Sequence, residues 1–156
     1  MRLYRIARTC HAGDLSGEGA RRAGGRWNRK GTAVLYTADS VALATLEMLV
    51  HLPLNLLPHD YALAVFELPD RLAVETVDGE SLPANWKKYP APPELGELGT
   101  RWAQGAATVA FRVPSAVIPD GEGWNVLLNP LHPDFGHVRC AEITPYRFNE
   151  RLFRRG

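Results

Sequence analysis

At 156 residues, with 46% hydrophobic and 22% charged side chains, the chain has the composition of a folded domain with a substantial core. A net charge of +1 and a pI near 7.9 argue against direct nucleic-acid binding, which normally needs a strong basic excess. The opening MRLYRIART lacks the apolar core of a secretion signal, and no apolar run approaches the ~20 residues of a membrane span, so a cytoplasmic location is expected.

Leu3 to Ile6 reads as a short opening strand. Residues 12–25 carry Gly13, Gly17, Gly19, Gly24 and Gly25, a density that predicts a surface loop. Ala33 to Thr37 is a compact apolar strand. Asp39 or Ser40 then offers an N-cap for a helix reaching about Leu52, where Pro53 stops it. Tyr61 to Leu68 is a second strong strand between Pro58 and Pro69. Residues 81–95 hold four prolines and read as irregular. A short helix is expected from about Glu94 to Gln104, weakened by Gly96 and Gly99. Thr108 to Val113 is a strand ended by Pro114. Trp124 to Leu128 and Val138 to Phe148 add further strands, the last interrupted by Pro145.

Strands outnumber helices and do not alternate with them. The expected fold class is α+β, one domain over residues 1–156 with its core at about 3–148, built on a mixed or antiparallel sheet. No G-x-G-x-x-G follows a strand, which removes the Rossmann mode of dinucleotide binding. Cys10 and Cys140 fit neither a metal-ligand nor a disulfide spacing and are expected as free thiols.

Glu47 is the most informative residue. It is the only charge between Ser40 and Val50 on a helix apolar almost all the way round. Two placements fit: outward on a narrow solvated stripe with Thr45, or inward, where a carboxylate needs partners. In Gly24-Gly-Arg-Trp-Asn28, paired glycines permit positive φ or close approach of a ligand. Arg26 then offers a planar fork suited to phosphate, with Trp27 a flat surface beside it. A plain glycine turn with a surface Arg and a core Trp also satisfies that block. Tyr36 ends a strand just before the Glu47 helix and fits either the core or a stacking role against a flat base. Ser115 follows a strand end without a G-x-S-x-G elbow, so it is a turn serine or a hydrogen-bonding site residue rather than a nucleophile. His132 and His137 lack the partners a metal site requires, and the basic tail Arg151 to Arg155 reads as solvated or as a contact for an acidic partner.

Taken together, Gly24-Gly-Arg-Trp-Asn28, Leu35-Tyr-Thr37, Leu46-Glu47, Val113-Pro-Ser115 and Asn125-Val-Leu-Leu-Asn-Pro-Leu-His132 resemble the RES family from about Leu3 to Phe148. That family is named for an Arg, a Glu and a Ser, which fall on Arg26, Glu47 and Ser115. The resemblance implies a toxin of a toxin–antitoxin pair with a fold like the ADP-ribosyltransferase toxins. It implies depletion of NAD⁺ as substrate, no separate cofactor and no metal. It also implies an Xre-type antitoxin partner and a homodimer within the toxin–antitoxin complex.

Chemistry supports one prominent acid. An O-glycoside usually needs a second carboxyl to protonate its leaving oxygen. The nicotinamide of NAD⁺ is already cationic and departs neutral, so one carboxylate facing the oxocarbenium-like ribose suffices. On this reading Arg26 holds the phosphates with Trp27 and Asn28 beside it, and Tyr36 stacks near nicotinamide. Glu47 stabilises the cation or orients an acceptor, and Ser115 fixes ribose or Glu47. Water as acceptor makes a glycohydrolase, phosphate a phosphorylase, and a macromolecular side chain an ADP-ribosyltransferase. The rival of a different class is a non-catalytic protein or RNA interaction module.

Overall fold

Seven strands form among the described residues: β1 (Arg2–Arg8), β2 (Leu35–Ala38), β3 (Tyr61–Glu67), β4 (Val74–Thr76), β5 (Ala110–Pro114), β6 (Trp124–Leu128) and β7 (Arg139–Tyr146). In the computed structural model, which describes residues 1–53 and 55–153, they make one sheet in the order β4-β5-β6-β2-β1-β3-β7. Only β4 and β5 run parallel; every other pair is antiparallel. The fold is the α+β class with a mixed sheet that strand-rich patterning led one to expect.

Three differences from the sequence expectation have local causes. Residues 12–25 hold a helix, α1 (Glu18–Ala23), within the glycine-rich stretch. Glu18 pairs with Arg21 and Arg22, each at 2.6 Å, on one helical face, which offsets the poor propensity of Gly19. The β4 strand has three residues, too few to display an alternation. Finally, β7 continues through Pro145, which pairs with Ala62 of β3. As an edge strand β7 has no second neighbour to require the missing N–H.

Two longer helices lie on the sheet. The first, α2 (Val41–Leu49), begins where the Ser40 Oγ accepts from the Leu43 N–H at 3.1 Å. The second, α3 (Pro93–Gly105), starts with proline in its first turn, where no N–H is needed, and stops at Ala106 in the left-handed region.

Register shows where these helices sit. Cross-strand partners share a face, so Tyr4, Tyr36, Ala38, Phe111, Val113, Asn125 and Leu127 all point to one side of the sheet. On that side α2 covers one end, packing Leu43 and Ala44 with Ile6, Ala38 and Phe148. At the other end α3 packs Leu95 and Trp102 with Trp27, Phe111 and Leu127, the Trp102 and Phe111 rings stacked at 5.2 Å. The opposite face buries Leu3, Leu35, Phe66 and Leu128 beneath connecting segments that carry Leu15, Leu72 and Phe135.

The sheet is weakest at its middle. Among the described residues β1 and β2 pair at one position, Tyr4 with Ala38, whereas β1 and β3 pair along seven. The gap between β1 and β2, flanked by the two helix-covered cores, is where a cavity opens.

Cys10 and Cys140 are free, as their spacing predicts. No helix among the described residues is long and apolar enough to cross a membrane. Arg151 lies in a short turn capped by the Asn149 side chain, while Arg154 and Arg155 of the basic tail lie outside the described residues.

Candidate functional site

Packing of α2 on the sheet decides the placement of Glu47. Leu43 and Ala44 are the buried positions of α2, and Glu47, three and four residues on, shares their inward face. Thr45 turns elsewhere, towards the Val41 carbonyl and the Tyr146 hydroxyl. Of the two placements the pattern allowed, Glu47 takes the inward one, half-buried and provided with donors.

Those donors come from the residue that follows β5 and from β6. The Ser115 hydroxyl donates to Glu47 Oε1 at 2.8 Å, and the Asn125 amide donates to the same oxygen at 2.6 Å. Both occupy Oε1, so Oε2 receives no hydrogen bond from the described residues. Ser115 is 1% exposed and also accepts from the Val117 N–H at 3.2 Å. Its only proton is committed to Glu47, which leaves the ribose role without a free donor.

Tyr36 lines the same cavity wall as Glu47 and is bonded to the Gly24–Asn28 block. Its hydroxyl accepts from the Trp27 N–H at 3.0 Å and donates to Asn28 Oδ1 at 2.8 Å. Burial pushes the phenol pKa up, opposed more weakly by the Trp27 N–H and the Arg26 charge, so Tyr36 stays a neutral donor. Gly24 adopts a positive φ, and a Cβ on Gly25 would come within 2.7 Å of the Tyr36 hydroxyl. Gly25 therefore makes room for the tyrosine, while Gly24 supplies the left-handed turn before it.

Asn28 reaches the cavity only through Tyr36. It is 2% exposed, and its amide donates to the carbonyls of Ala20, Arg29 and Thr32. Trp27 is likewise almost wholly buried, with its ring 6.5 Å from that of Trp86.

Arg26 is half-buried and faces the cavity. Its Nη1 donates to the Trp86 carbonyl at 2.6 Å and the Lys88 carbonyl at 3.1 Å. Burial lowers its pKa, while the Glu47 carboxylate and Tyr36 pull the other way. Its Nε and Nη2 make no hydrogen bond to the described residues, so part of the fork remains available to an anion.

Glu47 lies on the wall between two cavities of about 970 and 210 Å³. Tyr36, Asn125, Arg5 and His51 line both with it, and Arg26, Lys87 and Tyr89 line only the larger. Arg5 comes from β1 across the split in the sheet, its guanidinium held by the Asp14 carbonyl at 3.1 Å. No cluster of three or more His, Cys, Asp and Glu among the described residues could hold a metal ion. His132 instead caps a turn, its Nδ1 accepting from the Asp134 N–H at 3.0 Å.

Asn125 is a site residue that sequence reasoning did not single out, as are Arg5, Lys87 and Tyr89, although Asn125 opens one of the blocks that carry the family resemblance. Its signal was present: a lone amide in the apolar strand WNVLL, the same kind of exception that marks Glu47 on its helix.

Comparison with known proteins bears on this arrangement. Residues 2–149 match the RES domain. A protein of Sphingobium sp. (strain YBL2), named Prs ADP-ribosylating toxin, is 38% identical over 99% of this chain and 96% of its own length. Toxin Res of Yersinia enterocolitica is 38% identical over 97% of this chain and 99% of its own. The fold is similar to one in the crystal structure of the M. tuberculosis MbcT–MbcA toxin–antitoxin complex, with a TM-score of 0.69 and 21% identity over 94% of this chain and 84% of that one. The chain belongs to the RES domain family of toxins.

Proposed function

We propose that this toxin cleaves the nicotinamide–ribose bond of NAD⁺ at Glu47 and so depletes the dinucleotide. The observation that carries the reading is a single carboxylate, held at one oxygen by Ser115 and Asn125, on the wall of a cavity of about 970 Å³. As the bond from ribose C1′ to the nicotinamide nitrogen breaks, its electron pair leaves with the base. Positive charge then develops on the ribose, opposite a preorganised negative group. An acceptor oxygen bonds to C1′ and gives up its proton. Arg26, with its unused N–H groups, fits the pyrophosphate.

A small acceptor, water or phosphate, is the first reading. The second is an ADP-ribosyltransferase acting on a macromolecule, favoured by the name of the Sphingobium relative. Incubating purified protein with NAD⁺, with and without phosphate or cell extract, separates them by mass. The products are ADP-ribose, its phosphate adduct, or a modified macromolecule. Intact NAD⁺ under all three conditions would refute the reading.

Asn125 and Ser115 should act through Glu47. A hydrogen bond to a charged group is worth about 1.5–3 kcal/mol, so Asn125→Ala is expected to lower kcat roughly ten- to hundredfold. KM should stay within about twofold if the lost contact serves the transition state rather than binding. A KM rise with unchanged kcat would instead make Asn125 a binding residue.

An antitoxin partner is part of the same proposal, supported by the toxin–antitoxin complex that shares the fold. An Xre-type antitoxin and a toxin homodimer inside that complex are the expected form. Co-expression with the product of an adjoining reading frame, followed by sizing of the purified complex, tests all three points.

A further inference from the structure

The segment from Trp86 to Ala91 has more holding it than an irregular, proline-rich stretch requires. Trp86 is buried against Trp27 and anchors one end. Arg26 binds the carbonyls of Trp86 and Lys88. Between them Lys87 reaches across the cavity mouth to the Ile118 carbonyl at 3.0 Å and the Asp120 carboxylate. Tyr89 follows Lys88. It lines the larger cavity, yet it is 88% exposed, the most of any large hydrophobic residue among the described residues.

The backbone that carries this solvated ring is tethered before any ligand arrives. The Lys88 carbonyl bound by Arg26 immediately precedes Tyr89. The side-chain torsions of Tyr89 are then what remains to be fixed when a flat ligand settles on the ring. The cavity is near the upper end of the ~300–1,000 Å³ typical of small-molecule sites, which leaves room for both halves of a dinucleotide. Glu47 and Tyr36 occupy the wall where the reacting ribose is placed, and Arg26 connects that wall to the Tyr89 segment.

We propose that Tyr89, exposed at the mouth of the Glu47 cavity on the segment latched by Arg26, is the stacking platform for the purine base of the dinucleotide. Arg26 is then doubly used: it orients the platform through its Nη1 and leaves its other N–H groups to the pyrophosphate between the two nucleoside halves. The inference rests on the assignment of NAD⁺ as substrate and assigns the other end of that molecule to a residue.

Base–aromatic stacking predicts that Tyr89→Ala raises KM for NAD⁺ about tenfold, with kcat within twofold. Tyr89→Phe, which keeps the ring, should restore the wild-type value. ADP, which carries only the purine half, should inhibit the Ala variant about tenfold more weakly, while inhibition by nicotinamide stays unchanged. Unchanged KM and ADP inhibition in Tyr89→Ala would overturn the proposal. So would equal weakening by both inhibitors, the mark of a collapsed segment rather than a lost base contact. Calorimetric binding of ADP-ribose to wild-type protein and Tyr89→Ala decides the purine site even if NAD⁺ proves not to be cleaved. Equal affinity for the two proteins, or no binding to wild type, would refute the platform whatever the reaction.

Discussion

Glu47→Gln is expected to reduce NAD⁺ cleavage by roughly 10²–10³-fold, about 3–4 kcal/mol, the size of effect seen when one preorganised electrostatic group is removed elsewhere. The exchange is nearly isosteric. An amide oxygen can still accept from Ser115 and Asn125, so the hydrogen bonds at 2.8 and 2.6 Å have a partner and the helix keeps its packing. What disappears is the full negative charge opposite the ribose. The loss should therefore fall on kcat, with KM nearly unchanged and the thermal midpoint within a few degrees of wild type. Nicotinamide release followed chromatographically reads the first two, and calorimetry the third. Full activity in this variant would end the case for Glu47 as the reacting group and return weight to a non-catalytic interaction module.

Gly99→Ala should be the most damaging single-methyl change. A Cβ there would overlap the carbonyl oxygen of Trp27, which is backbone and cannot rotate away. To accept it, α3 must separate from the Gly24–Asn28 block. That contact is also secured by the Thr100 hydroxyl accepting from the Arg29 N–H at 2.9 Å and by the Arg29–Glu97 ion pair. Overpacking of this kind costs about 1–3 kcal/mol, or more where backbone must move. For a chain of this size that is a fall in Tm of roughly 2–12 °C. Cleavage should suffer as well, because the displaced block carries Arg26 and orients Tyr36. Gly105→Ala, in the same helix, provides the control: a Cβ there meets nothing within 4 Å and should leave Tm unchanged or slightly higher. Equal stability of the two variants would show that α3 and the loop are less tightly joined than their geometry requires.

Local patterns carried a large part of this protein. An apolar helix capped by Ser40 and interrupted by one acid follows from helical period and capping chemistry, which act within a few residues. The strands at 61–67 and 124–128, the free cysteines and the α+β class are legible for the same reason. Gly96 and Gly99 read as flaws in a helix by propensity, whereas Gly99 is where that helix touches the backbone of Trp27. A propensity scale records what a residue costs its own helix and not what its absent side chain permits elsewhere.

The amino-acid sequence by itself determined most of the elements, the isolation of Glu47 and, through five ordered blocks, the family. Tertiary structure alone decided that Glu47 turns inward and that Asn125, 78 residues away, joins Ser115, 68 residues away, on the same carboxylate oxygen. It also decided that Arg26 latches a segment 60 residues distant and that the sheet parts between β1 and β2. The reason is physical: period, capping and turn preferences are properties of neighbouring residues, while register, strand order and close backbone approach are relations between segments that meet only when the whole sheet closes.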